Sequence, residues 1–368
     1  MTQRFVTVVL FSFICLAVII LAAAIRLKRE FDDFPIGFSA NYLQGEGETT
    51  GVGGRPGDIM LERPPTPIVM NVTTGIETVD ESIINLPTIP PWPTLQNTPT
   101  AIPTPLATVD PPQQIPVNGV AWASFVVIPP DVRDNARQIY LAGQAKGRNP
   151  NAYSKVGDST VENPHFMTRF DEGPYNLGPY SHLQPVIDAF RGSHARDSLA
   201  VQIGLHSWSA NDPMWGDAAY CLPAETPIQC EIRIHNPAIL FIRLGTNDVG
   251  TGNLFAANIR QIVETAIAAG VIPVIGTKGD RHEGSNENNE ILRRIAAEYR
   301  IPLWDYDRIA DTLPGRGLDQ DAVHMLSFFA HDYTDPVAFT RGHAIHNLSA
   351  LMMLDAIWRG VILSRNEP

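Results

Sequence analysis

The stretch "NAYSKVGDSTVENPHF", residues 151–166, begins as a buried strand and stops abruptly. The apolar and small residues up to Val156 suit the inside of a sheet, whereas Gly157, Asp158, Ser159 and Thr160 are tiny or polar. Such an end is either a turn or a nucleophile at the carboxyl edge of a parallel sheet, where open α/β proteins place their ligands. Further apolar runs follow: "SLAVQIG" (198–204), "AILFIRL" (238–244), "VIPVIG" (271–276) and "IPLWDY" (301–306). Helical patterns separate or flank them over "DVRDNARQIYLAGQAKG" (131–147), "HLQPVIDAFRG", "NLFAANIRQIVETAIAAG", "NENNEILRRIAAEYR" and the closing "NLSALMMLDAIWRGVIL". Strands without polar alternation, interleaved with amphipathic helices, predict a parallel sheet covered on both faces, a three-layer α/β/α sandwich.

This pattern occupies residues 120–368 only. Residues 5–25 carry no charge, and these 21 residues are long enough to cross a bilayer as a helix. We expect residues 1–29 to be an uncleaved membrane anchor. The alternative is a cleaved signal peptide, for which Ala22 and Ala24 offer a site, although the apolar run is long for one. Cys15 lies mid-span behind Ile14, which disfavours a lipoprotein. Residues 30–60 are Gly-rich and aperiodic, and residues 61–120 hold 13 of the 31 prolines, interleaved with Thr. Such composition favours extended chain over a packed core, so residues 30–119 read as a disordered stalk. Arg26, Lys28 and Arg29 after the span favour a cytoplasmic domain by the positive-inside count. The stalk and the pair Cys221 and Cys230, which encloses "LPAETPIQ", argue for the outside, where a disulfide persists. Two reduced buried thiols are the other reading of that pair. The net charge is −12, with no Lys/Arg run to track a phosphate backbone, so nucleic acid is not an expected partner.

Three strand ends are polar where packing does not require it: Gly157-Asp158-Ser159, "QIGLHSWS" (202–209) and "RLGTNDVG" (243–250). A fourth polar cluster, "LDQDAVHMLS" (318–327), sets Asp321 and His324 three apart. Singly these are a turn, helix caps and a solvated loop. Together they offer a nucleophile, an amide donor, a base and a carboxylate to orient it. The set resembles the GDSL/SGNH hydrolase superfamily, which carries four short blocks in this order on a flavodoxin-like sheet. The resemblance covers roughly residues 120–364. It implies Ser159 in "KVGDST" as nucleophile, Asn247 in "LGTNDV" as oxyanion donor, and Asp321 and His324 in "DAVH" as the remaining catalytic pair. The Ser159 N–H would be a second oxyanion donor.

Two departures stand out. Ser207 occupies the position of the family's oxyanion-hole Gly, with Gly204 three residues earlier as the other candidate donor. Met325 stands where the family often has Pro. No Gly-x-Ser-x-Gly elbow, P-loop or dinucleotide fingerprint is present. His343 and His346 lack a well-spaced third ligand, and no metal or organic cofactor is implied. Trp208, Trp215 and Tyr175, on loops rich in polar groups, are candidates for the substrate cleft; packed surface loops have the same composition. The expectation is a membrane-anchored, extracytoplasmic serine esterase for short acyl groups, acetyl above all, on carbohydrate. Alternatives are a non-catalytic glycan-binding or scaffolding domain and a lipid esterase or thioesterase. Amino-terminal sequencing of membrane-extracted protein should begin at or near Met1; a mature start near Ala24 or Ile25 would mean a cleaved signal.

Overall fold

The computed structural model describes residues 111–364. The expected anchor over 1–29, Cys15 within it, and all but the end of the expected stalk over 30–119 lie outside the described residues. No helix among the described residues is long and apolar enough to cross a membrane. At the join, Val117 is fully buried and Ile115 packs against the same core.

Five strands form one sheet: β1 (Val126–Val127), β2 (Asn149–Gly157), β3 (Pro237–Arg243), β4 (Ile272–Gly276) and β5 (Leu303–Trp304), in the order β1-β5-β4-β3-β2. β2 to β5 are mutually parallel, and β1 closes the edge antiparallel to β5. Every residue of β3 and β4 is buried, as expected of strands covered on both faces. The longer helices are α1 (Pro130–Ala145), α2 (Pro227–His235), α3 (Gly252–Ala269), α4 (Glu287–Tyr299) and α5 (Gly342–Ile357). The fold class is the α/β sandwich expected from the pattern.

The expected strand over 198–204 is reduced to a single parallel bridge, Gly157 to Val201. The reason lies in Ser198. Its hydroxyl donates to the Lys155 carbonyl at 2.6 Å, and the Ala200 N–H donates back to that hydroxyl at 3.1 Å. A side chain thus takes the place of a ladder bond, the local competition that serine offers to strands. With that bridge counted, the sheet keeps the flavodoxin-like sequence of strands. Helix α2 was absent from the periodicity reading, yet its start is encoded. Thr226 and Gln229 form a reciprocal capping box, with Pro227 in the first turn. Cys230 in α2 is disulfide-bonded to Cys221. Beside it, the buried carboxylate of Glu231 accepts from Ser154, Arg196 and the Leu199 N–H.

Helix α5 is buried on every side. A helix apolar all round belongs inside a protein, and its polar residues must then find partners. Ser349 accepts from Trp304 Nε1 at 2.9 Å, and Asn347 accepts the Met167 N–H at 3.0 Å and reaches His331 Nε2 at 2.8 Å. His343 packs edge-on to His331 with ring centres 4.8 Å apart. Burial holds His331 down to about 4 and His343 down to about 3, against about 6.5 in an unfolded chain.

That difference fixes a sign. The unfolded chain takes protons first, so the stability these rings contribute is complete above about pH 6.5 and is lost as pH falls toward about 4. Each ring adds a slope of up to about 1.4 kcal/mol per pH unit in that window. Urea midpoints should therefore decline from about pH 7.5 to about pH 4.5, and His343→Asn should flatten the decline by about a third or less, since burial also holds His346 well below the ordinary value. A slope unaltered by that substitution would remove His343 from the account.

Candidate active site

The carboxyl edge of β2 and β3 is shaped by a close approach. A Cβ on Gly157 would come within 2.6 Å of the Arg243 carbonyl oxygen and 2.3 Å of Val161 Cγ2, so only glycine lets the strands meet here. The chain then turns on Asp158, which is fully buried. Its Oδ1 accepts from the Thr160 N–H at 2.9 Å and from Thr160 Oγ1 at 2.7 Å. Burial pushes the Asp158 carboxyl up, while the Thr160 bonds and the Arg243 charge draw it down. The turn leaves Ser159 half-buried at the sheet edge.

Ser159 Oγ lies 2.9 Å from His324 Nε2, and His324 Nδ1 lies 2.5 Å from Asp321 Oδ2. The spacing of three works because Asp321 builds the turn itself. Its Oδ1 accepts the Val323 and His324 N–H groups, each at 3.0 Å, leaving Oδ2 for the imidazole. The His324 bond, then the Val323 N–H, hold the Asp321 carboxyl down to about 2. Ala322 takes a left-handed conformation, φ 58°, which closes the turn. Met325 anchors the loop. It is buried, and its sulfur accepts the Tyr306 hydroxyl at 3.4 Å. The residue that stands where the resembling family often has Pro thus seats the His324 turn.

The amide side is arranged differently from expectation. Asn247 Nδ2 donates to the Leu205 carbonyl at 3.2 Å and faces Asp158 Oδ2 at 3.5 Å, so it sits beside the nucleophile turn. Gly245, φ 123°, makes the bend that brings it there. Ser207 is close by but differently engaged. Its N–H points at the Asp248 carboxylate, 3.1 Å from each oxygen, and its hydroxyl donates to Asp248 Oδ1 at 2.7 Å. The backbone donor expected at Ser207 is therefore committed to Asp248, drawn there by the hydroxyl that a glycine lacks. Gly204, φ 74°, is exposed, with nothing within 4 Å of a would-be Cβ. The Ser159 N–H meets no acceptor among the described residues. Asp248 escaped the sequence reading, although Asn-Asp after a strand marked its position.

Trp208 is 47% exposed, edge-on to Trp215 at 5.7 Å, and joins the site through Ser207. Tyr175 is packed against Phe170 and hydroxyl-bonded to Gln184, and no contact links it to Ser159. Tyr180 is buried. Asn211 and Asp212 serve their own loop. Asn211 donates to the Ser207 and Asn258 carbonyls, and Asp212 caps the Met214 N–H. Asn176 likewise accepts from the Gly178 N–H. A polar cavity of about 580 Å³ opens beside the segment after the nucleophile. Asn163 ties its walls together, accepting from Lys155 and Thr168 and donating to Ala195 and Asp197. His343 and His346 lie in α5, packed against aromatic rings.

The arrangement can therefore move a proton from a serine hydroxyl to an imidazole whose tautomer a carboxylate fixes. Two donors, the Ser159 N–H and the Asn247 amide, stand near it. No family model and no curated protein matches the chain. Solved structures similar to it include esterases and lipases, some of them described as G-D-S-L family or GDSL-like. One is a GDSL-like lipase from Bacteroides thetaiotaomicron VPI-5482, at 13% identity over 60% of this chain and 96% of that one, TM-score 0.33. Another is a variant acetyl xylan esterase from Geobacillus stearothermophilus, at 16% over 55% and 94%, TM-score 0.36. A psychrotrophic esterase from Pseudoalteromonas sp. shares 14% over 56% and 96%, TM-score 0.34.

The Ser207–Asp248 contact makes a direct prediction. Ser207→Ala removes the 2.7 Å bond and also the acceptor of Asn258 Nδ2. The loss should be about 1–3 kcal/mol, several degrees in Tm. An unchanged Tm would show that the hydroxyl does not hold Asp248.

Proposed function

We propose that this protein is a serine ester hydrolase of the GDSL/SGNH type, held outside the cytoplasm by an N-terminal membrane anchor and stalk, and acting on acetyl or other short acyl groups esterified to carbohydrate. The observation that carries the chemistry is the continuous contact from Ser159 Oγ to His324 Nε2, 2.9 Å, and from His324 Nδ1 to Asp321, 2.5 Å. Ser159 attacks the ester carbonyl and His324 takes its proton. The imidazolium then protonates the departing alcohol, and water, deprotonated by the same ring, releases the acyl group as a carboxylate. Asp321, held down to about 2, stays ionised throughout. The Ser159 N–H, and the Asn247 N–H that rests on Asp158 Oδ2 only at 3.5 Å, turn to the carbonyl oxygen as charge develops there, a contribution of about 3 kcal/mol per donor.

The location is supported by the 21 uncharged residues at 5–25, the proline-rich segment after them, and the Cys221–Cys230 disulfide. The carbohydrate alcohol is supported by the exposed Trp208 beside the site. One observation favours a second reading, an ester of longer acyl chain. Ile203 is 72% exposed, Met214 91% and Leu254 68%, and all three belong to the segments around Ser207.

Ser159→Ala and His324→Ala should each abolish ester turnover with the domain still folded, and a fluorophosphonate should label the wild-type protein at Ser159. Asn247→Ala should fold and lose about 10²- to 10³-fold in kcat. A chain-length series of aryl esters from acetate to palmitate, run beside acetylated polysaccharide, separates the two substrates. Peak kcat/KM at eight carbons or longer with no acetate released from the glycan would replace carbohydrate deacetylation with lipid hydrolysis. Absence of labelling and of turnover on every ester would leave a binding domain.

A further inference from the structure

The last residue of β3 is an arginine with no exposed surface. Arg243 faces Gly157 across the β2–β3 ladder, and its stem lies over Gly276 of β4, where a Cβ would come within 3.3 Å of its Cδ. Its Nε donates to His346 Nε2 at 3.4 Å. Neither terminal nitrogen has a hydrogen-bond partner among the described residues. A fully buried guanidinium in that condition acts on its surroundings through its charge, and in a poorly polarisable interior that charge reaches further than in water.

Four groups of the site's underside feel it: Asp280, Asp158, Tyr306 and Asp307. Two of the three carboxylates also bond another cation, Asp280 one that it shares with Glu283. Asp280 is paired with Lys278 at 2.8 Å, and Asp307 with Arg293 at 2.7 Å and Arg281 at 2.5 Å. Asp158 is different. Its hydrogen-bond partners, Thr160 and Asn247, are neutral. A buried carboxylate without a countercharge takes up a proton instead, and it then loses acceptor capacity on one oxygen.

We propose that Arg243 is a positioning residue, the buried countercharge that keeps Asp158 ionised so that Asp158 can hold both the Thr160 turn and the Asn247 amide around one reacting centre. The proposal rests on the esterase reading above. It gives Arg243 a task distinct from packing. If the stem over Gly276 were its whole contribution, an uncharged side chain of similar length would serve as well and could even stabilise the fold, as replaced buried charges often do.

The test is a double-mutant cycle on the full chain with an aryl acetate: Arg243→Met, Asp158→Asn and the pair, with Tm measured for each. Each single substitution should lower kcat by about tenfold and leave KM within about twofold, and the pair should lose no more than Asp158→Asn alone, because the two act as one unit. Arg243→Lys, which restores the charge, should recover most of the lost kcat. Should Arg243→Met fail to fold, Arg243→Gln gives the same comparison. Wild-type kcat in the uncharged variant, whatever its Tm, overturns the proposal. So do losses that multiply in the pair, or an Arg243→Lys variant no better than Arg243→Met. Labelling of wild-type Ser159 by a fluorophosphonate keeps the esterase reading standing in each of those cases, whereas wild-type protein neither labelled nor active overturns both.

Discussion

The parallel register between β2 and β3, with Gly157 opposite Arg243, is the constraint on which the site depends. It brings two strand ends to one level, so the turns that follow, Asp158-Ser159 and Thr246-Asn247, emerge side by side. The absence of a side chain at Gly157 allows it, since a Cβ there would overlap the backbone of β3. Nothing in either turn would meet the other if the register slipped by one residue, because a slip of one reverses every side chain of the strand. Fold and chemistry therefore share a single condition, met within the sheet before any loop is placed.

Around that edge the structure places an unusual density of buried charge. Arg293 bridges Asp305 and Asp307, Arg281 also reaches Asp307, and Lys278 joins Asp280 and Glu283. Asp307 is held down to about 2 by its arginines despite its burial. Such pairs are poor sources of net stability, because desolvation offsets most of their attraction. They are directional, however. They fix the segments after β4 and β5, and the loop bearing Asp321 and His324 is seated against those segments through Met325 and Tyr306. The exposed Asp321–His324 turn, closed by its own hydrogen bonds, is thus seated on a charged underside.

The strands of the sheet were legible because residues buried on two faces leave a run of apolar letters, and the polar stops at Ser159 and Asn247 broke those runs visibly, with Asp321–His324 in a polar cluster beyond the last of them. What escaped was decided by side chains reaching across the chain. The hydroxyl of Ser198 replaces a ladder bond, so a stretch that reads as a strand becomes a single bridge. The hydroxyl of Ser207 recruits Asp248, 41 residues on, and a backbone donor expected at the site turns aside. Met325 looks neutral in sequence and proves to be the loop's anchor. Asp212 and Asn176, polar residues of the loops that carry Trp215 and Tyr175, complete their own turns, and Asn211 ties its loop to α3. A local pattern encodes burial well. It does not encode which of two acceptors a donor will choose when both are distant in sequence.

The pairing of Ser159 with His324 spans 165 positions of the chain. A serine hydroxyl is inert without a base beside it. A polypeptide laid down amino terminus first therefore presents the Ser159 hydroxyl long before His324 exists, and the two meet only after the last strand and the loop beyond it have been made. Any form of the chain that stops short of residue 324 lacks the contact by connectivity alone. Completion of the fold is thus the condition on which the contact exists at all.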